Sequence, residues 1–481
     1  MMIKNSPPKT VLYYGLTLII FTASALLRLY FTTGDLWLDE VWQIVNIEKI
    51  SSIREIFTSI NSYNNHYLNS ILVFFTGPDA PFFVYRLPAV IGGIISMIFA
   101  FLIAGREGRV NGLIALTLIG FSYFFIILSS EVRGYGLLMG FAYGGLFYSI
   151  KILEENDWRL KNILVLWVFI ILGFLSHLTF LHFYTGLIVW SACVILQKNA
   201  GARDRVIKLL KLHFIPAAFL IFLYFFSIRT IIHEDGPVRP LVLTIQRLFH
   251  FSFGLPLTKG LQYPVALSGL ALTLFSIYIY KKSNRTIWIF FITVILISPV
   301  IVFSLMHITV FASRHFLMNA LYLPLLFSML LSRLFYKNQQ SRILAAAAIF
   351  IFLCPQFAHF LYFSKYKRGT YRQAMEHIVE LSEGRDVTVA SDHDFRNFFL
   401  FHFYQSKINN GNTLHYIKFT PQSKTRPDFF ILHDFDSKTF PETITIAMPS
   451  AKQDYRLSKV FPYDARGLSG YDWYIYKKVR P

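Results

Sequence analysis

The chain has 481 residues, of which 54% are hydrophobic, 17% aromatic and only 15% charged. Soluble domains carry about 25% charged residues, so this composition argues against a soluble protein and indicates a polytopic membrane protein. The net charge of +19 does not point to nucleic acid, because many of the Lys and Arg lie in short loops between apolar runs. Cys193 and Cys354 both lie inside apolar runs, so neither a disulfide framework nor a thiolate metal cluster is implied.

Membrane-length apolar runs recur along the first three quarters of the chain. A membrane span needs roughly 20 apolar residues. The first run follows Lys4 and Lys9 without a small-residue cleavage site, so we predict an uncleaved first span. We predict about eleven transmembrane helices, near residues 11–31, 86–104, 111–128, 135–150, 163–178, 183–197, 212–229, 263–280, 287–306, 316–333 and 343–363. Residues 1–363 therefore form a transmembrane domain.

The distribution of basic residues between the predicted spans gives a topology. The loops on the N-terminal side carry 18 Lys and Arg in 59 residues, whereas the opposite loops carry 8 in 111 residues. Cytoplasmic loops are the basic ones. We therefore place the N-terminal side in the cytoplasm and the other loops, together with the C-terminal tail, outside. The absence of organellar signals favours a bacterial inner membrane with a periplasmic outer face.

The first outer loop, residues 32–85, has an internal pattern. Apolar residues recur from Val41 to Ile60 at a roughly helical period and alternate with polar ones. We predict one or two amphipathic helices on the outer membrane surface. Helices packed on the spans of the protein itself would produce the same pattern.

The tail, residues 364–481, is rich in charges and differs from the rest. A helical stretch, Tyr371 to Ser382, precedes β-like runs at Val387 to Ala390, Phe429 to Leu432, Thr443 to Ala447 and Trp473 to Tyr476. These runs predict a small periplasmic α/β domain, which is large enough to have its own core. We interpret the polar sequence Asp392-His393-Asp394 within it as a solvated loop.

Polar residues that apolar packing would not select lie at the predicted outer boundaries. The acidic pair Asp39–Glu40 follows the first span, where carboxylates are costly to desolvate and therefore suggest a site. The later boundaries contribute Asn64, Asn65, His66, Asp79, Tyr85, Arg86, Glu131, Arg133, Tyr135, His177, His182, Arg314 and His315.

Several of these residues have a structural alternative when taken alone. Arg86 and Arg314 at span ends could snorkel to the interface. Glu131 and Arg133 could form a structural ion pair, and His177 could be hydrogen-bonded inside the bundle. Such roles would scatter polar residues over both faces of the membrane, whereas the acids, arginines and histidines gather on one face.

Carboxylates and arginines at a lipid surface suit transfer of a group from a lipid-linked phosphate. Arginine binds phosphate through two parallel hydrogen bonds and neutralises a phosphate leaving group. A carboxylate can take the proton of an attacking hydroxyl or amine. A polyprenyl-phosphate sugar fits this chemistry, because its tail lies in the bilayer and its anomeric carbon at the headgroup level.

The order of the polar motifs also resembles a known family. The segments are LWLDE, NNHYLNSILVFF, YRLPAVIGG, SSEVRGYGLLMG, GFLSHLTFLHFYTG and ASRHFLMNALYLPLL, and together they cover about residues 30–335. This set resembles the integral-membrane glycosyltransferases of the GT-C fold, in particular the protein O-mannosyltransferase and aminoarabinose-transferase-like group (glycosyltransferase family 39-like). The tail segment YRQAMEHIVELSEGRDVTVAS resembles the outer soluble domain of bacterial relatives.

The resemblance implies roles for particular residues. Asp39 would be the catalytic base, with Glu40 supporting it or the acceptor. Donor and phosphate binding would fall to Glu131, Arg133 and Tyr135 of the ExRxY-like turn.

A further set of implied roles involves positions where this chain departs from its relatives. Arg314 would be the late donor-site arginine, in a segment that reads SRH where relatives have a PRY-like sequence. His66 would position the acceptor, in a loop that reads His66-Tyr67-Leu68 where many relatives have HPP. Arg86 and His177 would support the same site.

The sequence requires no cofactor. Asp39, Glu40, His66 and His177 are suitable ligands for a divalent cation, but no tight ligand spacing forces a metal site. The partners implied are the membrane, a polyprenyl-phosphate-linked sugar and a lipid, glycan or protein acceptor.

A transporter or flippase of a lipid-linked sugar is the alternative, although transporters place ionisable groups near the bilayer midplane. A scaffold that presents the outer domain is a third possibility. The sugar, the acceptor and the oligomeric state are not readable from the sequence.

Overall fold

The structure is a computed structural model that describes residues 7–198, 201–232, 240–283, 285–305, 312–420, 425–434, 440–448, 451–463 and 468–479. It is mainly helical, with one β-sheet near the C-terminus. The described ranges contain the α-helices α1 (Pro7–Tyr30), α2 (Leu38–Glu48), α3 (Ile53–Thr58), α4 (Tyr67–Thr76), α5 (Phe82–Gly105), α6 (Arg109–Phe121), α7 (Tyr123–Leu128), α8 (Tyr135–Leu153), α9 (Leu160–Ser176), α10 (Leu181–Gln197), α11 (Ala202–Phe226), α12 (Leu241–Phe253), α13 (Gln262–Lys282), α14 (Trp288–Ile292), α15 (Ser298–Leu305), α16 (Leu317–Ala320), α17 (Leu323–Lys337), α18 (Gln339–Tyr366), α19 (Tyr371–Ser382) and α20 (Asp394–Gln405).

Seven helical segments in these ranges are long and apolar enough to cross a membrane. They are Val11–Tyr30, Phe82–Gly105, Tyr135–Leu153, Leu178–Gln197, Ala202–Thr230, Gln262–Lys282 and Gln339–Ser382. An eighth is obtained if the pair Ser313–Ala320 and Leu323–Lys337, bent by 49°, counts as one span. These eight segments coincide in order with eight of the eleven spans that the sequence predicts.

The other three predicted spans form shorter apolar helices, Arg109–Phe121, Leu160–Ser176 and Trp288–Val302. The predicted span at 111–128 is interrupted because Ser122 has extended backbone between α6 and α7. Two side-chain contacts accompany the break. The Ser122 hydroxyl donates to the Ser252 carbonyl (3.0 Å), and the Tyr123 amide donates to Oε1 of Gln356 (2.7 Å). Side chains can satisfy a broken helix in an apolar environment in this way.

Helices α5 and α8 approach each other through glycines. A Cβ on Gly136 would lie 2.0 Å from the Ala89 carbonyl oxygen, and one on Gly140 would lie 2.7 Å from the Gly92 carbonyl oxygen. Only glycine permits this backbone distance at the two α8 positions. Small residues four apart are a common means of close packing between apolar helices, and this contact fixes the start of α8, where the Arg133 turn ends.

Arg28 is a fully buried guanidinium in α1. It donates to the carbonyls of Ser24 (3.1 Å), Gly120 (3.0 Å) and Ile119 (3.1 Å). Backbone carbonyls therefore accept from this charge and link α1 to the end of α6. An arginine inside a predicted apolar run thus has a structural role, since a buried charge is tolerated only when it is hydrogen-bonded.

The chain divides into two compact units. The first comprises Met1–Thr32, Ile50–Thr76 and Val84–Ala358, and the second comprises Thr33–Lys49, Gly77–Phe83 and His359–Pro481. The second unit therefore contains the tail together with two segments of the predicted first outer loop, one of which carries the acidic pair.

The tail contains a six-stranded mixed sheet in the order β2-β1-β3-β6-β5-β4. Its strands are β1 (Val387–Ser391), β2 (Leu414–Tyr416), β3 (Phe429–Asp434), β4 (Thr443–Met448), β5 (Ala451–Phe461) and β6 (Asp472–Lys478). The strand β1 pairs in parallel with β2 and β3, whereas the remaining pairs are antiparallel. The predicted α/β class, helix α19 and four of the strands agree with this arrangement.

Helix α2 differs from the predicted amphipathic helix of the first loop, because most of its residues are buried in the protein. Trp42 contacts two rings of α20, with centroid distances of 5.3 Å to Phe395 and 6.2 Å to Phe399. Two residues before α2, the Leu36 amide donates to the Tyr404 hydroxyl (2.7 Å), which donates in turn to the Leu36 carbonyl (2.8 Å). Helix α2 therefore packs on α20 of the tail, a contact that neither the prediction of a membrane-surface helix nor the alternative of packing on the spans includes.

We predict that Tyr404→Phe loosens α2. The substitution removes two buried hydrogen bonds to Leu36, each with a net contribution of about 0.5–1.5 kcal/mol. Amide hydrogen exchange of the purified full-length chain should become faster across Leu38–Glu48. Tyr476→Phe is the matched control, since it loses a hydroxyl-to-carbonyl bond to Pro441 in the same unit. Unchanged exchange of α2 in Tyr404→Phe would contradict the anchoring role.

Candidate active site

Asp39 and Glu40 lie in the first turn of α2, after an extended Trp37. Both side chains are buried, with exposed fractions of 7% and 0%. Acidic side chains in a first turn are favoured by the helix dipole. One carboxylate oxygen of Glu40 accepts a hydrogen bond from the Trp37 amide (3.2 Å), as the third helical residue of a capping box does. Glu40 therefore stabilises the start of α2, which separates its role from that of Asp39.

A network of polar side chains in the tail lies in the same unit as Asp39. The His433 Nδ1 lies 2.9 Å from both carboxylate oxygens of Asp392, and Nη1 of Arg396 lies 2.8 Å from His433 Nε2. An arginine always donates, so Nε2 accepts and the His433 proton lies on Nδ1, toward Asp392. Asp392 and His433 thereby orient the Arg396 guanidinium. Asp392 and His393 lie in the short loop between β1 and α20, and Asp392 is exposed, so the predicted solvated loop is confirmed at these two residues, whereas Asp394 begins α20.

Tyr471 contacts the tail network through the His433 ring. Its ring centroid lies 5.2 Å from that of His433. Burial, and then the neighbouring Tyr371, raise the pKa of the Tyr471 hydroxyl well above its ordinary value. The charges of Arg396 and Asp39 also act on this hydroxyl, in opposite directions.

The first unit brings four of the predicted site residues together. The Arg133 Nε donates to His66 Nε2 (3.2 Å), and the Arg133 guanidinium carbon lies 4.8 Å from the Tyr135 ring centroid. The His177 ring stacks on His66 (4.7 Å between centroids) and on Tyr135 (4.8 Å). We call His66, Arg133, Tyr135 and His177 the arginine–histidine cluster. Three separate turns of the predicted outer face contribute to it.

The electrostatics of the cluster are positive. Burial lowers the pKa of His66 well below its ordinary value, and the nearby charges of His177, Arg133 and Arg314 act in the same direction. His66 is therefore neutral, with its proton on Nδ1 because Nε2 accepts from Arg133. Arg314, in the 3₁₀ turn Ser313–Phe316, is close enough to act on His66 as a second guanidinium.

Ser130 and Gly134 hold the turn that carries Arg133. It lies between α7 and α8, and the Ser130 hydroxyl donates to the carbonyls of Ile126 (2.7 Å) and Arg28 (3.1 Å). A Cβ on Gly134 would lie 1.8 Å from the Ser176 carbonyl oxygen and 3.2 Å from the His66 Cβ. A glycine at position 134 is therefore what lets the arginine turn approach the histidines.

Glu131 and Arg86 are also buried in the first unit. Glu131 lies in the arginine turn with an exposed fraction of 0%, and its carbonyl accepts from the Arg133 amide (2.7 Å). Arg86 is fully buried at the start of α5, where it donates to the Thr32 carbonyl (2.7 Å). Burial argues against the snorkelling alternative for Arg86, and its hydrogen bond to Thr32 ties α5 to the end of α1.

The sequence left a divalent cation open. The described residues contain no group of three or more His, Cys, Asp or Glu side chains that could hold a metal ion. In the arginine–histidine cluster, Nε2 of His66 is engaged by Arg133 and Nδ1 of His177 accepts from the Thr179 amide (3.1 Å). A cation would compete with these donors, so this arrangement suits an anion better.

Neither models of known protein families nor curated protein sequences match this chain. The family resemblance therefore stays a prediction. The tail residues Arg396 and His433 were absent from the predicted site. Asp392 and His393, which precede Arg396 in the sequence, carried a weak signal. His433 lies on β3, and no local spacing connects it to these residues.

We predict that Gly134→Ala disrupts the cluster. The new methyl group would overlap the Ser176 carbonyl oxygen, so the arginine turn must shift, and overpacking of this kind costs about 1–3 kcal/mol. The apparent melting temperature of the purified chain should fall. Gly105→Ala, which meets open space, is the control and should leave it unchanged. Equal melting temperatures for the two variants would show that Gly134 does not limit the approach of the turn.

Proposed function

We propose that this chain is a membrane glycosyltransferase that moves a sugar from a polyprenyl-phosphate donor to an acceptor at the outer face of a bacterial inner membrane. The observation that supports this most is the arginine–histidine cluster. Two guanidinium groups, those of Arg133 and Arg314, act on one buried, neutral His66. Positive charge enclosed by apolar surroundings is poorly screened, so an anionic group there is bound strongly.

The phosphate of a lipid-linked sugar suits such a site better than a soluble anion does. The cluster lies at the ends of apolar helices, with Tyr135 at the first residue of α8 and His177 directly after α9. A polyprenyl tail in the bilayer would hold its phosphate at such a boundary. Arg133 binds the phosphate in this proposal, Arg314 adds charge, and the Tyr135 ring and Glu131 support the arginine turn.

The transfer step is a direct displacement at the anomeric carbon. An acceptor hydroxyl or amine gives its proton to the Asp39 carboxylate, and its electron pair forms the new bond to that carbon. The bond between the anomeric carbon and the phosphate oxygen breaks, and its electron pair remains on the oxygen. The leaving polyprenyl phosphate therefore gains one negative charge, which the arginines stabilise more than they stabilise the intact donor.

The environment of Asp39 supports its assignment as the base. Its neighbour Glu40 is engaged in capping α2, and α2 is fixed to α20 by Trp42 and by the bonds between Leu36 and Tyr404. A base must be held within hydrogen-bond reach of the proton that it removes, so a rigid helix is a suitable support.

We predict that Asp39→Asn abolishes transfer and that Glu40→Gln does not. One general base contributes about 10²–10⁴-fold to rate, so transfer should fall by at least about 10²-fold in the first variant. Glutamine can still accept the hydrogen bond at the third position of a capping box, so the second variant should retain most activity. Mass analysis of envelope lipids and glycans from cells with and without each variant measures the transferred sugar.

The mass analysis tests the base, and reconstitution into vesicles tests the transporter alternative. Full sugar transfer by Asp39→Asn would contradict the assigned base. If the wild-type chain moved a lipid-linked sugar across reconstituted vesicles without forming a glycosidic bond, the transporter alternative would replace this proposal.

We predict that Arg133→Gln weakens binding of bare undecaprenyl phosphate by at least about tenfold. A hydrogen bond to a charged group contributes about 1.5–3 kcal/mol, and about 1.4 kcal/mol corresponds to a tenfold change in affinity. Native mass spectrometry of the purified chain with this lipid gives the affinity. Arg159→Gln is the control, because Arg159 is an exposed arginine paired with Asp157. Equal affinities of wild type and Arg133→Gln for this lipid would show that Arg133 does not bind its phosphate.

A further inference from the structure

Asn69 on α4 is a fully buried carboxamide. Within the described part of the chain, neither its Oδ1 nor its Nδ2 has a hydrogen-bond partner. Two other buried carboxamides, by comparison, each keep a hydrogen bond. Nδ2 of Asn111 donates to the Ala104 carbonyl (2.9 Å), and Nδ2 of Asn319 donates to the Val294 carbonyl (2.6 Å). Asn69 is therefore distinct from the buried amides that have a structural role.

Such a side chain is unfavourable for folding. Each buried polar group without a partner costs about 1–3 kcal/mol, whereas a leucine, whose side chain has the same branching, would bury apolar surface at no such cost. Unpartnered buried groups are few in natural proteins, and each requires an explanation. A bound ligand that supplies both a donor and an acceptor is one explanation.

The position of Asn69 connects it to the arginine–histidine cluster. His66 directly precedes α4, and its carbonyl accepts from the Ser70 amide (2.8 Å) in the first turn of that helix. Asn69 is the third residue of α4 and is buried. It thus lies within one helical turn, about 5.4 Å of rise, of the histidine that contacts Arg133. Helix α4 also packs on α9, which is followed by His177.

The chemistry of the carboxamide selects the ligand. A phosphate accepts hydrogen bonds only, so it would leave Oδ1 of Asn69 without a partner, and an acyl or prenyl tail would satisfy neither atom. A hydroxyl both donates and accepts, so it can donate to Oδ1 while it, or a neighbouring hydroxyl, accepts from Nδ2. A sugar provides adjacent hydroxyls, and in the proposed donor the sugar is bonded directly to the phosphate.

We propose that Asn69 recognises a hydroxyl group of the donor sugar beside the arginine–histidine cluster. This inference rests on the proposed function. It makes Asn69 a specificity-determining residue, because a site built to hydrogen-bond a hydroxyl discriminates strongly against a substrate that lacks it.

The test is Asn69→Leu, which keeps the number and branching of the side-chain heavy atoms and removes both polar atoms. If the amide awaits a ligand, the melting temperature of the purified chain without donor should stay equal to wild type or rise. Sugar transfer, measured by mass analysis of the envelope, should fall at least tenfold. Asn111→Leu is the matched control. It loses an existing hydrogen bond, so its melting temperature should fall.

Binding of bare undecaprenyl phosphate separates this inference from the proposed function. Asn69→Leu should bind this lipid as wild type does, because the phosphate contacts do not involve the amide. That result also shows that the variant is folded. Wild-type transfer by Asn69→Leu, or a lower melting temperature without donor, would overturn the role of Asn69. Wild-type transfer by Asp39→Asn would instead overturn the proposed function and leave the stability result unchanged.

Discussion

The hydrogen bond from Arg133 to His66 is the interaction on which the candidate site depends. A buried arginine remains charged and needs acceptors, since burial of an unpaired charge costs far more than a hydrogen bond returns. His66 acts as that acceptor because burial and the surrounding cations keep it neutral. A protonated histidine would repel Arg133. The neutral histidine thus satisfies the guanidinium without cancelling its charge, which a carboxylate in the same place would do.

Close backbone approach makes this hydrogen bond possible. The arginine turn can reach the histidines only because Gly134 has no side chain against Ser176. The same chain segment continues into α8, whose Gly136 and Gly140 lie against α5. Both contacts are steric requirements that leave little freedom for the turn. The position of the positive charge in the cluster is therefore fixed by the packing of the backbone.

Local sequence patterns predict the elements of this chain better than their interruptions. Hydropathy located the long apolar helices, and the composition of the tail located α19 and four strands. The sequence analysis missed α20, because DFRNFFLFHFYQ is too aromatic to show an amphipathic period. Hydropathy also predicted a continuous span where Ser122 interrupts the helix, because the hydrogen bond from Tyr123 to Gln356 joins residues that are far apart in sequence. Breaks that depend on distant side chains leave no local signal.

The site shows the same division between local and distant information. Position at span ends singled out Arg133, Tyr135, His66 and His177, and the structure groups them in one cluster. The polar network of the tail could not be predicted, because Arg396 is oriented by His433 on β3 and α2 is anchored by Tyr404 on α20. These contacts connect segments more than 30 residues apart, and nothing in the spacing of either segment encodes the other.

Asp39 and Glu40 illustrate why adjacency does not imply equivalence. The third residue of a helix can reach back to the amide before the helix, and the second cannot do so with the same geometry. Glu40 occupies the third position and caps α2, so its conservative replacement by glutamine keeps the helix start. Asp39 occupies the second position and has no part in this capping bond. The tail contributes to the position of Asp39, because α20 anchors the start of α2 through the two hydrogen bonds between Tyr404 and Leu36.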